Sequence, residues 1–223
     1  MTSTSPTQTL DQIAVAARAV HLTINGAFHG QPGDGTPENM GTLVMLGPDE
    51  PTFWAAFKLS GEYLDGLPDP MNRWSTRVIT AMADRLDAQA VFPFGGPPYA
   101  PFISWAKLSG HCWSSPVELL VHDAAGMFVS YRGAISFSQK LDLPPVGQRP
   151  CDSCTQQPCL TSCPVGALSD SGYDVATCHA YLDTKPGRDC MTNGCLVRRS
   201  CPVSQTFARD PAQSEFHMKA FHK

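Results

Sequence analysis

The sequence predicts an α+β protein in two parts, a mixed domain over residues 1–140 and a cysteine-rich module over residues 151–210. Three observations lead there. Over the first 140 residues, apolar side chains recur at helical spacing in some stretches and in short continuous runs in others. Eight of the nine cysteines lie between Cys151 and Cys201, with only Cys112 outside. Between the two parts, LDLPPVGQRP (Leu141 to Pro150) has the proline-rich character of a linker. Residues 211–223 read as a C-terminal tail.

TLDQIAVAARAV carries an amphipathic helix with Thr9 as its cap, and GTLVMLGP reads as a buried strand. DEPTFWAAFKLSGEYL opens as a helix, with Asp49 or Glu50 before Pro51 in the first turn. In DPMNRWSTRVITAMADRLDA, Asp69 caps and Pro70 fits the first turn, while Trp74, Val78, Ile79, Met82 and Leu86 form one stripe. AVFPF reads as a strand, and APFISWAKLSG as a helix ended by Gly110. VELLVHDAAGMFVSYRGAISF predicts two strands joined at Asp123–Gly126 as a hairpin.

Composition narrows the function. At 223 residues and 42% hydrophobic, the chain can bury a core. A net charge of −4 and a pI near 5.9 argue against a broad basic surface, so a nucleic-acid partner is not expected. Residues 1–150 hold 13 acids and 9 bases, and residues 151–223 hold 7 of each, so the cysteine-rich part is no acidic tail. No apolar run has the length of a membrane span. MTSTSPTQTLDQ has no basic residue ahead of the apolar part, so no secretory leader is expected. A cytoplasmic setting follows, in which thiols stay reduced.

The chemistry is concentrated in CDSCTQQPCLTSCPVG, Cys151 to Gly166, with the spacing C-x2-C-x4-C-x3-C-P. Disulfides would close very small loops and do not suit a reducing compartment. Zinc uses C-x2-C as a half-site. A [4Fe–4S] cubane is the third possibility, and this run is similar to the bacterial ferredoxin signature. The proline favours it, because Cys-Pro places proline in the first turn of a helix leaving a cluster. The pair also recurs, at Cys163–Pro164 and Cys201–Pro202, with Cys178, Cys190 and Cys195 between. Two cubanes need eight thiolates, and eight are present.

The crossed ligation of two-cluster ferredoxins would assign Cys151, Cys154, Cys159 and Cys201 to one cluster. Cys163, Cys178, Cys190 and Cys195 would hold the other. The first run has two extra residues near Gln157–Pro158, and the second set is spread with no C-x2-C. Backbone amides of Gly166, Gly187 and Gly194 could approach sulfur. Arg188, Arg198 and Arg199 are candidates for raising the potentials or docking a partner, or else simply solvated helix charges.

From about Pro98 to Gln205 the chain resembles the iron–sulfur epoxyqueuosine reductases and, more distantly, the corrinoid reductive dehalogenases. APFISWAKLSGHCW, VELLVHDAAGMFVSYRGAIS, the first cysteine run, CHAYLDT and GCLVRRSCPVSQ carry the resemblance. It implies a nitroreductase-like mixed α/β domain, able to hold a corrinoid, before a two-cluster ferredoxin-like module. The reductases place an acid, thought to be the proton donor, shortly before the pair matched by Ala100–Pro101. Here PFGGPPYAP has Pro98 at that place and no carboxylate nearby.

The reading is therefore a ferredoxin-type electron-transfer protein carrying two [4Fe–4S] clusters. Its partner would be a redox protein or a small-molecule electron acceptor. The alternative is a corrinoid- or flavin-dependent reductase whose clusters feed cobalamin or FMN in the first domain. FPFGGPPY could admit a ring system, or serve only as a turn. His111 and Cys112 are candidate corrinoid ligands or redox groups, against ordinary packing.

Overall fold

The computed structural model describes residues 8–222; the N-terminal residues 1–7, part of the stretch read as no leader, lie outside it. Helices and small sheets are mixed in a chain that divides into two compact units. One unit runs up to Gly110 and resumes over Ser130–Val146; the other comprises His111–Val129 and continues from Gly147. The sequence drew one boundary at 141–150, whereas the chain passes between units at three points.

The first unit opens with α1 (Leu10–Arg18). Thr9 Oγ1 accepts the Gln12 N–H at 3.3 Å, and Gln12 Oε1 accepts the Thr9 N–H at 3.0 Å. This reciprocal box satisfies two backbone donors that a helix start leaves open. Strands β1 (Leu22–Phe28) and β2 (Thr42–Pro48) follow, and every residue of β2 is buried. The expected single helix after Pro51 is two, α2 (Thr52–Lys58) and α3 (Gly61–Leu64), because Ser60 ends one and caps the next by accepting the Tyr63 N–H.

Helix α4 (Pro70–Arg85) buries Trp74, Val78, Ile79 and Met82 as its stripe predicted, whereas Leu86 is only half-buried. Asp69 makes no side-chain cap: it sits at φ 54° and its carboxylate accepts from Asn72 Nδ2 at 2.9 Å. Strand β3 (Gln89–Val91) and helix α5 (Phe102–Leu108) complete the stretch, and Gly110 takes the left-handed turn, φ 72°, just past α5. Against this framework Phe53 meets Trp74 edge-on at 5.3 Å.

The expected hairpin at Asp123–Gly126 does not form. Strand β5 (Leu120–His122) pairs back onto β4 (Cys112–Ser114), and one isolated bridge, His122 to Gly126, crosses the turn. Strand β6 (Gly133–Phe137) instead joins the first unit's sheet, whose order is β1-β2-β6-β3 with all pairs antiparallel. Two local causes explain this. His122 Nδ1 accepts the Ala124 and Ala125 N–H groups at 3.0 and 3.2 Å, closing the turn on itself. Strand β6 is buried along its whole length, which suits a central position. Gly133 fits there because a Cβ would stand 2.7 Å from Ile79 Cδ1.

In the second unit, short elements follow β4 and β5: α6 (Pro150–Ser153), a 3-10 turn (Pro158–Leu160), β7 (Leu168–Ser169) and β8 (Gly172–Tyr173). Then come α7 (Val175–Leu182), α8 (Arg188–Asn193), α9 (Leu196–Ser200), α10 (Pro202–Thr206) and α11 (Pro211–Phe221). The Cys-Pro expectation holds at one site and fails at the other. Pro202 starts α10, but Pro164 enters a turn in which Gly166 N–H returns to Cys163 O at 3.2 Å, and β7 follows. With φ 64°, Gly166 turns the chain away from helix. Residues 211–221, read as tail, are a helix capped by Asp210.

Candidate functional site

The second unit's core joins apolar side chains to sulfur. Val117, Val121, Met127, Leu168 and Val197 bury together with Cys159 and Cys201, and Cys151, Cys163 and Cys195 pack at its edge. None of the eight cysteines from Cys151 to Cys201 is in a disulfide.

Cys151, Cys154, Cys159 and Cys201 line one cavity of about 300 Å³. Three come from the first cysteine run. Cys201 arrives from the far end of the module, at the start of α10. Val121 and Met127 complete the apolar wall. Burial is the main cause pushing the Cys151 thiol up, against the opposing pull of Arg149; burial also pushes Cys159 up. Thiols in such a place stay protonated unless a cation compensates the thiolate charge.

The other four form a second neighbourhood. Burial raises Cys178 foremost, and the nearby charges of Cys195 and Cys163 add to the rise. Cys190 is likewise raised by burial foremost, against a backbone N–H from Leu196; Cys195 adds to the rise and Arg199 opposes it less. Tyr173 Oη donates to Cys178 Sγ at 3.3 Å, and Ala167 N–H donates to Cys163 Sγ at 3.2 Å. Burial, then the bond to Cys178, pushes the Tyr173 phenol up, so it stays a donor. Cys201 therefore lies with Cys151, Cys154 and Cys159, and Cys178 and Cys190 lie near Cys195, with Cys163 near Cys178.

Among the described residues, no three His, Cys, Asp or Glu side chains are arranged to hold a single metal ion. Four thiolates on one zinc would stand about 3.8 Å apart, from a Zn–S bond of about 2.3 Å. The sulfur groups here are not gathered in that way.

Other sequence candidates fall into two classes. Gly187 faces backbone, since a Cβ there would stand 2.0 Å from Tyr181 O, and Gly194 faces Ser214; among the amides that reach sulfur are Ala167's, on Cys163, and Leu196's, on Cys190. Arg198 and Arg199 are not freely solvated. Arg198 Nη1 donates to Met127 O, and Arg199 pairs with Asp189 while donating to Gly194 O at 2.9 Å. Burial pushes the Arg198 pKa down while Cys195 supports its charge; a guanidinium starts so high that it stays protonated. Sequence reading had no signal for Met127 O or Gly194 O as anchors, because both are backbone carbonyls.

His111 Nδ1 lies 2.6 Å from Asp123 Oδ2, beneath a Gly147 whose Cβ would meet that oxygen at 2.1 Å. Cys112 is wholly buried in β4. His29 Nε2 meets Leu141 O at 2.9 Å, and His21 Nδ1 meets Thr52 Oγ1 at 3.1 Å. In the first unit, Phe94 of the FPFGGPPY loop stacks on Phe92 at 5.2 Å and lines a surface cleft of about 380 Å³ with Asp69, Asn72, Arg73, Thr76 and Arg77 of the α4 region. No described helix is long and apolar enough to cross a membrane.

The chain matches no protein-family model, no curated protein and no solved structure, so the resemblance above stands on its quoted motifs alone.

Proposed function

We propose that the chain is an electron carrier whose second unit holds two [4Fe–4S] clusters, in the manner of a ferredoxin-like module. The observation that carries this reading is the joining of Cys201 to Cys151, Cys154 and Cys159 around one cavity. Cys201, distant in sequence, is the thiol that crossed ligation requires beside these three. The donor chemistry also fits. Eight unbridged thiols are present, and a single-ion arrangement is missing among the described residues.

Cys151, Cys154, Cys159 and Cys201 would hold one cluster, and Cys163, Cys178, Cys190 and Cys195 the other. When bound, such clusters accept and release single electrons at potentials tuned by hydrogen bonds to sulfur and by burial. The residues around them do the tuning. Tyr173 and Ala167 supply donors to sulfur, and Arg198 brings fixed positive charge beside Cys195. Val121 and Met127 give the first group an apolar wall. The partner is a redox protein or a small-molecule electron acceptor.

Anaerobic purification followed by iron, sulfide and zinc quantification tests the reading. About eight irons and eight sulfides per chain are expected from two cubanes; zinc without sulfide would overturn it.

A second reading, a reductase related to the epoxyqueuosine enzymes with a nitroreductase-like first domain, rests on the quoted motifs; the open Phe94 cleft, lined by Asp69, Asn72, Arg73, Thr76 and Arg77, lacks the apolar enclosure of a cofactor pocket. Visible spectra after reconstitution with cobalamin or FMN separate the two: uptake of either supports the reductase, and uptake of neither leaves the carrier.

A further inference from the structure

Helix α11 buries a face of unusual chemistry. Gln213 is wholly buried and Ser214 nearly so. Among the described residues, neither amide atom of Gln213 nor the Ser214 hydroxyl has a hydrogen-bond partner. Native proteins rarely leave buried polar groups unpaired, because the lost hydration is not returned. Two consecutive buried side chains with unpaired donors call for an acceptor beside the helix.

The second group of thiols lies against this helix. Helix α11 packs on α8, which carries Cys190. A Cβ on Gly194 would come within 3.2 Å of Ser214 Oγ, so the hydroxyl abuts the residue preceding Cys195. At the far end of the helix, Phe221 stacks on Tyr173 at 6.2 Å, and Tyr173 is the donor to Cys178. The helix therefore borders the supports of three of the four sulfurs.

We infer that Gln213 and Ser214 donate hydrogen bonds to the sulfurs of the cluster held by Cys163, Cys178, Cys190 and Cys195, making α11 its potential-setting wall. The inference rests on the iron–sulfur reading above. Thiolate and sulfide accept but cannot donate, so they take Gln213 Nε2–H and Ser214 Oγ–H. Donors to sulfur stabilise the reduced cluster, so these two are positioning residues that raise its potential.

The test uses the full chain loaded with iron and sulfide under anaerobic conditions. Ser214→Ala and Gln213→Met are compared with the parent by redox titration followed by electron paramagnetic resonance, and by resonance Raman in H2O and D2O. At the parent's midpoint, each variant is expected to show an about threefold lower ratio of reduced to oxidised second cluster. Its Fe–S stretching bands should also lose part of their deuterium shift, while the first cluster is unchanged. Ser214→Thr, which keeps the hydroxyl, should restore the parent ratio. If Gln213→Met does not fold, Ser214→Ala with its Thr counterpart decides alone. Should the variants load iron yet keep the parent's midpoint and deuterium shift, the buried groups serve packing or water and the inference falls. Absence of iron from the parent itself would instead overturn the iron–sulfur reading, and this inference with it.

Discussion

The phenolic oxygen of Tyr173 donates a hydrogen bond to the sulfur of Cys178 across 3.3 Å. The bond joins β8 to the first turns of α7, and it places a neutral donor on a sulfur of the second group. Tyr173→Phe removes the donor and keeps the ring. Under the two-cluster reading, one couple is expected to fall by about 40 mV, from about 1 kcal/mol of differential hydrogen bonding to the two redox states. The other couple should stay where it is. Potentiometric titration reads both.

Cys201→Ala is expected to empty the cluster held by Cys151, Cys154 and Cys159, since Cys201 shares their cavity. About half the iron should be lost, with the second cluster's resonance retained. Cys190→Ala should show the reverse. Iron loss centred on the Cys190–Cys195 group in the Cys201 variant would refute the grouping.

Ile79 is wholly buried in α4, with its Cδ1 against the backbone of Gly133 in β6. Ile79→Ala is expected to destabilise the first unit by about 3 kcal/mol, and Ile79→Val by about 1 kcal/mol. Chemical denaturation followed by tryptophan fluorescence measures both, since Trp74 shares the stripe.

Gly187 has an ordinary φ of −66°, so no strain requires glycine there; what requires it is Tyr181 O, 2.0 Å from where a Cβ would stand. That oxygen, like Leu182 Cα at 2.8 Å, is backbone and cannot swing aside. Gly187→Ala is expected to cost about 1–3 kcal/mol and to push α8 away from the end of α7. Thermal unfolding of the metal-free protein checks the cost.

The hydrogen bond from Arg77 holds the Glu62 carboxyl below its ordinary value of 4.5. The folded state therefore favours the charged form. The stability this adds is complete above that ordinary value and is lost as pH falls through the lowered one. The pair is exposed on the Arg77 side, so Glu62→Gln should lose only a few tenths of a kcal/mol at pH 7. The difference from the parent should shrink as pH falls below that ordinary value and vanish only below the lowered one. Denaturant midpoints across that range give the curve.

The elements readable from the sequence were those whose cause is local. The Thr9 box, the α4 stripe, the buried run of β2 and the Gly110 stop each depend on residues a few positions apart. Asp69 misled because its carboxylate turns to Asn72 rather than to a backbone donor. The hairpin failed because its two strands have partners elsewhere: β5 goes back to β4, and β6 goes to β2 and β3. Nothing in VELLVHDAAGMFVSYRGAISF records those distant partners. At the candidate site, the concentration of thiols was legible from their spacing, while their division into two sets followed only from the crossed order of two-cluster ferredoxins. Ala167, Tyr173 and the buried face of α11 were not, because a donor to sulfur leaves no motif and a polar helix face reads as a solvated one.

Connectivity sets a limit on how the molecule can be dissected. A fragment beginning at Cys151 would contain all eight clustered thiols yet lack Val117, Val121 and Met127, which belong to the same compact unit. Expressed alone, such a piece should be unable to shield Cys159 and Cys201 from oxygen and bulk solvent. A separable cassette would have to be spliced, carrying 111–129 as well as everything after Val146.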